Sequence, residues 1–247
     1  MTESFELFCE PFGENRRVNV YLPDDYHYSD ERYPVLYMFD GHNIFYDSEA
    51  AYGKSWGIKD FLDGWDKKMI VVGVYCSMHG YDRLTEYSPY NFTAKLTGKV
   101  IGTGKQTMDW FVGPLKQYID SHYRTWWFRE ATAIAGSSMG GIMAYFAVLR
   151  YNQYYSKAAC VSPALRLSKR YVMNEMAIAQ PDPDTKIFFS WGTKEDRYGS
   201  LAKLVYTLDD MLKEKHVSTL VYKHMHGSHC EACWAEEVPM WMNFLWK

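Results

Sequence analysis

A chain of 247 residues with 47% apolar and 23% charged side chains can bury a substantial core, which excludes a disordered or fibrous chain. A formal net charge of −3 argues against nucleic acid or anionic lipid as a partner, since both need a concentrated positive field. No run approaches the roughly 18 apolar residues of a membrane span, and an odd set of five cysteines reads as reduced thiols rather than a disulfide framework. With no basic stretch leading into an apolar one at the N-terminus, the expected compartment is the cytoplasm.

In chain order, Arg17 to Leu22 predicts an antiparallel strand at a sheet edge. Val35 to Asp40, Met69 to Tyr75 and Ala131 to Gly136 predict strands that are apolar almost throughout, the pattern of strands covered on both faces. Met139 to Leu149 is apolar nearly all round and predicts a helix buried against the sheet centre. Ala158 to Ser162 and Lys186 to Gly192 are further strands. Leu201, Leu204, Val205, Leu208, Met211 and Leu212 recur at helical spacing, giving a surface helix before a last strand at Ser218 to His224. No repeat, low-complexity tract or linker interrupts this order, so residues 1–247 read as one domain. The expected architecture is layered α/β, a mostly parallel central sheet with helices on both faces. The short run between Pro163 and Lys186 leaves no room for a large cap.

Residues 135 to 141 read Ala-Gly-Ser-Ser-Met-Gly-Gly and contain GxSxG as Gly136, Ser138 and Gly140. Between an apolar strand and a buried helix, this is the context in which a sharp turn presents a serine hydroxyl for attack on a carbonyl. The N–H of Met139 then opens the helix, where it can hold a developing oxyanion. A second donor is expected after an early strand, and Gly41 followed by the N–H of His42 supplies it. A serine on such an elbow takes its partners in the order acid, then histidine. Glu195 and Asp196 lie on a loop after the strand Lys186 to Gly192, and His226 and His229 on a loop after the last strand, so two candidates stand for each role.

These landmarks, from Tyr33-Pro-Val-Leu-Tyr-Met-Phe-Asp-Gly through Arg83 to Pro89, the elbow, Ser162-Pro-Ala, Gly-Thr-x-Glu and His-x4-Trp, resemble those of the putative-esterase family of α/β hydrolases. That family includes feruloyl and acetylxylan esterases, tributyrin-type esterases, S-formylglutathione hydrolases, siderophore esterases and mycolyltransferases. The resemblance implies an α/β-hydrolase fold and a serine esterase working through an acyl-enzyme, with Ser138 as nucleophile, His229 as base and Glu195 as acid. Asp196 is the reserve for the acid, and His42 and Met139 are the oxyanion donors. It implies no cofactor and no metal. The expected partner is a small-molecule or oligosaccharide ester, with short-chain, aryl or carbohydrate-linked acyl groups favoured. Siderophore or thioester hydrolysis, acyl transfer and a non-catalytic scaffold are the alternatives. Trp56, Trp191 and Trp234 are the expected substrate-binding aromatics, with Tyr81 and Tyr198 beside probable site loops, although a 17% aromatic content also describes a dense core. His226, His229, Cys230 and Cys233 form a rival cluster of zinc-ligand types, disfavoured because one continuous loop-to-helix turn would struggle to wrap an ion. No heptad seam or self-complementary patch stands out to define an oligomer.

Overall fold

The computed structural model describes residues 1–95 and 97–247. Its strands are β1 (Thr2–Cys9), β2 (Glu14–Tyr21), β3 (Val35–Phe39), β4 (Ile70–Val74), β5 (Phe92–Ala94), β6 (Gly98–Val100), β7 (Thr132–Ser137), β8 (Lys157–Val161), β9 (Lys186–Gly192) and β10 (Ser218–His224). The helices are α1 (Ile58–Asp63), α2 (Asp82–Glu86), α3 (Gly104–Trp110), α4 (Lys116–His122), α5 (Met139–Arg150), α6 (Lys169–Ile178), α7 (Ser200–Glu214) and α8 (Glu231–Trp246). Eight strands make one sheet in the order β1-β2-β4-β3-β7-β8-β9-β10, while β5 and β6 form a separate antiparallel pair. β1 and β2 run antiparallel to their neighbours, and the six strands from β4 to β10 are mutually parallel. The strand expected at Arg17 to Leu22 overlaps β2 from Arg17 to Tyr21, but β1 forms the edge outside it. No helix among the described residues is long and apolar enough to cross a membrane.

The continuous apolar runs are explained by the two layers they serve. Val35, Tyr37 and Phe39 of β3 point into one core, which α5, α6 and α7 cover, whereas Leu36 and Met38 point into the other, under α1 and α8. β4 divides in the same way, with Ile70, Val72 and Val74 on one side and Val71 on the other. Because side chains alternate along a strand, a sheet covered on both faces needs apolar residues at every position. α5 is buried from Met139 to Leu149, and it packs against the central strands β7 and β8. By contrast α7 buries Leu201, Leu204, Val205, Leu208 and Leu212 on one stripe. A 3₁₀ turn and α6 fill the interval between β8 and β9, and among the described residues no large cap covers the sheet.

The connection leaving β3 passes through α1 on one face and that leaving β7 through α5 on the other, although β3 and β7 are paired neighbours. Chain segments leaving adjacent parallel strands in opposite directions open a crevice at their carboxyl ends, where α/β proteins place ligands. The turns at Asp40–Asn43 and at Ser138 stand side by side there.

Candidate active site

Ser138 joins β7 to α5 with φ 55° and ψ −116°, a left-handed geometry that a non-glycine residue adopts only when its surroundings impose it. Its N–H donates to the Val161 carbonyl at 3.1 Å, and its own carbonyl accepts from Ala164 N at 2.8 Å and Ile142 N at 3.2 Å. The glycines of the motif make the turn possible. A Cβ on Gly136 would fall 2.6 Å from the Gly140 carbonyl carbon, and one on Gly140 would fall 3.0 Å from Phe39 Cβ. Met139, as the first residue of α5, has an N–H with no intrahelical acceptor. On the neighbouring turn the Asn43 N–H donates to the Asp40 carbonyl at 2.8 Å, and the His42 N–H has no acceptor among the described residues. A Cβ on Gly41 would lie 2.4 Å from the Gly73 carbonyl oxygen of β4, so only glycine lets this turn close against the sheet.

Glu195 and Asp196 have separate positions. One oxygen of Glu195 accepts from Ser162 Oγ and from the Gly192 N–H, both at 2.6 Å, and its other oxygen pairs with Nδ1 of His229. Burial acts to raise the Glu195 carboxyl, but the hydrogen bonds from His229, Ser162 and Gly192 outweigh it and hold the group below its ordinary value. Ser162, itself at φ 41°, accepts the indole N–H of Trp234 at 3.0 Å. A chain of contacts therefore runs from Trp234 through Ser162 and Glu195 to His229, whose ring also meets the Trp234 ring edge-on at 5.0 Å. Asp196 turns away and accepts the N–H groups of Leu201 at 3.0 Å and Ala202 at 2.8 Å, which caps α7.

Two hollows meet at Ser138 and His229. The larger, of about 630 Å³, is lined also by Asp40, His42, Asn43, Tyr52, Met78, Arg83, Cys230, Glu231 and Trp234. The smaller, of about 330 Å³, runs over Ser162, Pro163 and Ala164 to Arg166, Leu167, Glu195 and Leu201. No hydrogen bond joins Ser138 to His229 among the described residues, and Nε2 of His229 is left unpaired. Resting active sites commonly show such open geometry and tighten around substrate.

Of the three tryptophans expected to bind substrate, only Trp234 lines the cleft. Trp56 is 4% exposed and packs on Trp234 and Trp241, while Trp191 is 2% exposed and stacks edge-on with Tyr206 in the opposite core. Both are core residues: Trp56, in the segment leading into α1, packs into the core under α8, and Trp191 faces inward from β9. Tyr81 and Tyr198 are exposed and line neither hollow. His226 is exposed in a turn at φ 63°, with its N–H on Thr193 Oγ1. Its zinc-type neighbours do not gather round an ion position, since His229 is engaged by Glu195 and the Cys230 and Cys233 sulfurs face each other at 3.6 Å.

The sequence reading missed three features of the cleft wall. Arg83 grips Asp40 through two hydrogen bonds of 2.6 and 2.7 Å, and although burial acts to raise that carboxyl, the guanidinium holds it below the usual range. Burial keeps the His42 imidazole below its ordinary value, and its Nδ1 is buried without a partner. Burial, with the Asp40 charge adding to it, pushes Glu231 upward. Asp40, His42 and Cys76 bring ligand-type atoms within 4.8 Å of one another, but Arg83 already occupies both Asp40 oxygens and its charge opposes a cation there.

A family model described as Putative esterase matches residues 10–242. Esterase MT1326 of Mycobacterium tuberculosis (strain CDC 1551 / Oshkosh) is 28% identical over 162 residues, covering 64% of this chain and 31% of that protein. The chain thus spans about a third of that relative's length. Among solved structures, an IroE-like serine hydrolase from Shewanella oneidensis superposes with a TM-score of 0.78 at 17% identity, over 99% of this chain and 79% of the other. A ferulic acid esterase gives 0.73 at 19% identity over 99% and 97%. The enterobactin and salmochelin hydrolase IroE gives 0.71 at 14% identity over 100% and 95%. These structures share the α/β-hydrolase fold with the chain, and the family match over residues 10–242 shows that it belongs to the Putative esterase family.

Proposed function

We propose that this protein hydrolyses carboxylic esters through an acyl-enzyme on Ser138. The observation that carries the reading is the placement of Ser138, on a strained turn, in the same hollows as a histidine whose Nδ1 is held by a buried carboxylate. In this mechanism Nε2 of His229 takes the Ser138 proton as Oγ attacks the carbonyl carbon, and Glu195 orients the ring and stabilises the imidazolium. The N–H groups of His42 and Met139 receive the oxyanion, the alcohol leaves with the proton, and water repeats the sequence to release the acid. Short-chain, aryl and carbohydrate-linked acyl esters fit an uncapped cleft of about 630 Å³ with Tyr52, Met78 and Trp234 in its wall. The siderophore hydrolase among the structural neighbours makes siderophore lactones the second class to assay. Five unpaired thiols favour a cytoplasmic setting.

The test is labelling of the intact protein with an active-site-directed fluorophosphonate, read by mass spectrometry. One adduct on Ser138 is expected, absent from Ser138→Ala, together with a loss of ester turnover on the order of 10⁶ in that variant. A folded protein that takes up no label, or a Ser138→Ala variant within about tenfold of wild type, would overturn the mechanism.

A further inference from the structure

The charge around the smaller hollow differs from that of the molecule. The chain carries a net charge of −3, yet the segments 165–172 and 194–205 hold six basic residues and two acids, and three of those basic residues, Arg166, Lys169 and Lys203, line the hollows on this side of Ser138. Of the two acids, Glu195 lines the smaller hollow with its carboxylate held on His229, and Asp196 is buried, capping α7 and pairing with Arg166. Beyond Arg166 the hollow is succeeded by a further cavity of about 510 Å³ that Arg166 also lines, with Lys169 and Lys203 as its other charged residues and no carboxylate in its wall.

Arg166 is anchored by one nitrogen, which donates to Asp196 and to Ser200 Oγ at 3.2 Å each. Lys169 and Lys203 are exposed and have no acidic partner among the described residues. Unpaired cations around a concave surface next to a reactive serine raise the local concentration of anionic substrates and favour their binding.

We propose that this flank selects esters that carry an anionic group, a carboxylate or a phosphate, set several bonds from the scissile carbonyl, with Arg166, Lys169 and Lys203 as the specificity-determining cations. The inference rests on the esterase reading and narrows its substrate class. Arg166 stands nearest the reacting serine and sets the start of the anion's track, while Lys169 and Lys203 extend it, so preference depends on the length of the spacer.

The experiment compares kcat/KM at low ionic strength for charged and neutral esters matched in length. On the acyl side these are the 4-nitrophenyl monoesters of adipate and suberate against the hexanoate and octanoate. On the alcohol side they are the butyryl esters of 4-hydroxyphenylacetate and 4-hydroxyphenyl phosphate against that of 4-methylphenol, which also separates carboxylate from phosphate. A preference on the order of tenfold for the anionic member is expected in at least one series, because each exposed pair contributes modestly and the two unpaired lysines act together with the donors Arg166 leaves free. That ratio is expected to fall toward one at about 0.5 M NaCl, and to invert in the doubly substituted Lys169→Glu, Lys203→Glu protein. Charged and neutral esters hydrolysed equally in both series, or a preference untouched by the double substitution, would overturn the proposal. The esterase reading fails separately, by absence of fluorophosphonate labelling at Ser138.

Discussion

At the scale of single residues, the candidate site depends on side chains that hold other side chains in place. Ser162 holds a left-handed backbone conformation and passes a hydrogen bond from the Trp234 indole to the Glu195 carboxylate. Glu195 lies low because donors surround it, so removing one lets its carboxyl rise toward the ordinary range. Ser162→Ala is accordingly expected to lower kcat on the order of tenfold, the size of a lost hydrogen bond to a charged group, and to move the acid limb of the pH–rate profile upward. KM should change little. Ser162→Gly separates the hydroxyl from the backbone, since glycine accepts positive φ without strain but offers no donor. The glycine variant is expected to be as slow as the alanine one; wild-type kcat in Ser162→Gly would assign the residue a purely conformational role.

At the scale of elements, what was legible followed from periodicity and from local motifs. Apolar runs located the central strands, and the glycines around Ser138 located the elbow, because each is a short-range consequence of packing. The position of an aromatic residue relative to the cleft is a longer-range matter. Trp191 shares its strand face with Ile187 and Phe189, all three in the core under α7, so strand parity assigns it to the interior where residue type alone suggested a ligand platform. Contacts such as Asp40 with Arg83 of α2, or Ser162 with Trp234 of α8, join a loop to a distant helix and leave no mark in spacing. The different partners of Glu195 and Asp196 are of that kind, with Glu195 on His229 and Asp196 on α7. Gly199 precedes this helix and supplies no side-chain cap, so Asp196 caps it from outside, with both oxygens on backbone N–H groups. Those bonds, with Arg166 beside them, outweigh burial and hold Asp196 below its ordinary value. A depressed carboxyl stabilises the fold above its unfolded value of about 3.9, and that contribution is lost as pH falls through the folded value. Asp196→Asn retains one acceptor oxygen and turns an amide toward an N–H. It is expected to cost about 1 kcal/mol at pH 7. Urea titrations should show the gap between variant and wild type narrowing as pH falls below about 4, and a gap of constant size down to pH 3 would assign the cost to packing.

At the scale of the whole molecule, the two cores cannot be separated without breaking strands. β3, β7, β8 and β9 each give alternate residues to both: Ile134 against Ala133 and Ala135, Cys160 against Ala159 and Val161, Phe189 against Phe188. Exposing one face removes half the burial of every central strand and leaves its hydrogen bonds to neighbours with nothing packed above them. The residues of the candidate site are distributed across the same strands, with Ser138 after β7, the positioning residue Ser162 after β8, Glu195 after β9 and His229 after β10. We therefore expect residues 1–247 to unfold as one cooperative unit, with loss of the site and loss of the fold coinciding. Tryptophan reports on both layers, since Trp110 and Trp191 lie in one core and Trp56, Trp234 and Trp241 in the other. Urea unfolding followed by tryptophan fluorescence, by far-ultraviolet circular dichroism and by fluorophosphonate labelling of Ser138 is expected to give coincident midpoints, the signature of an all-or-none transition. Labelling lost well before circular dichroism would mean that the loops at the carboxyl ends melt independently of the sheet. Two fluorescence steps would mean that the cores under α7 and under α8 are held together less tightly than their shared strands imply.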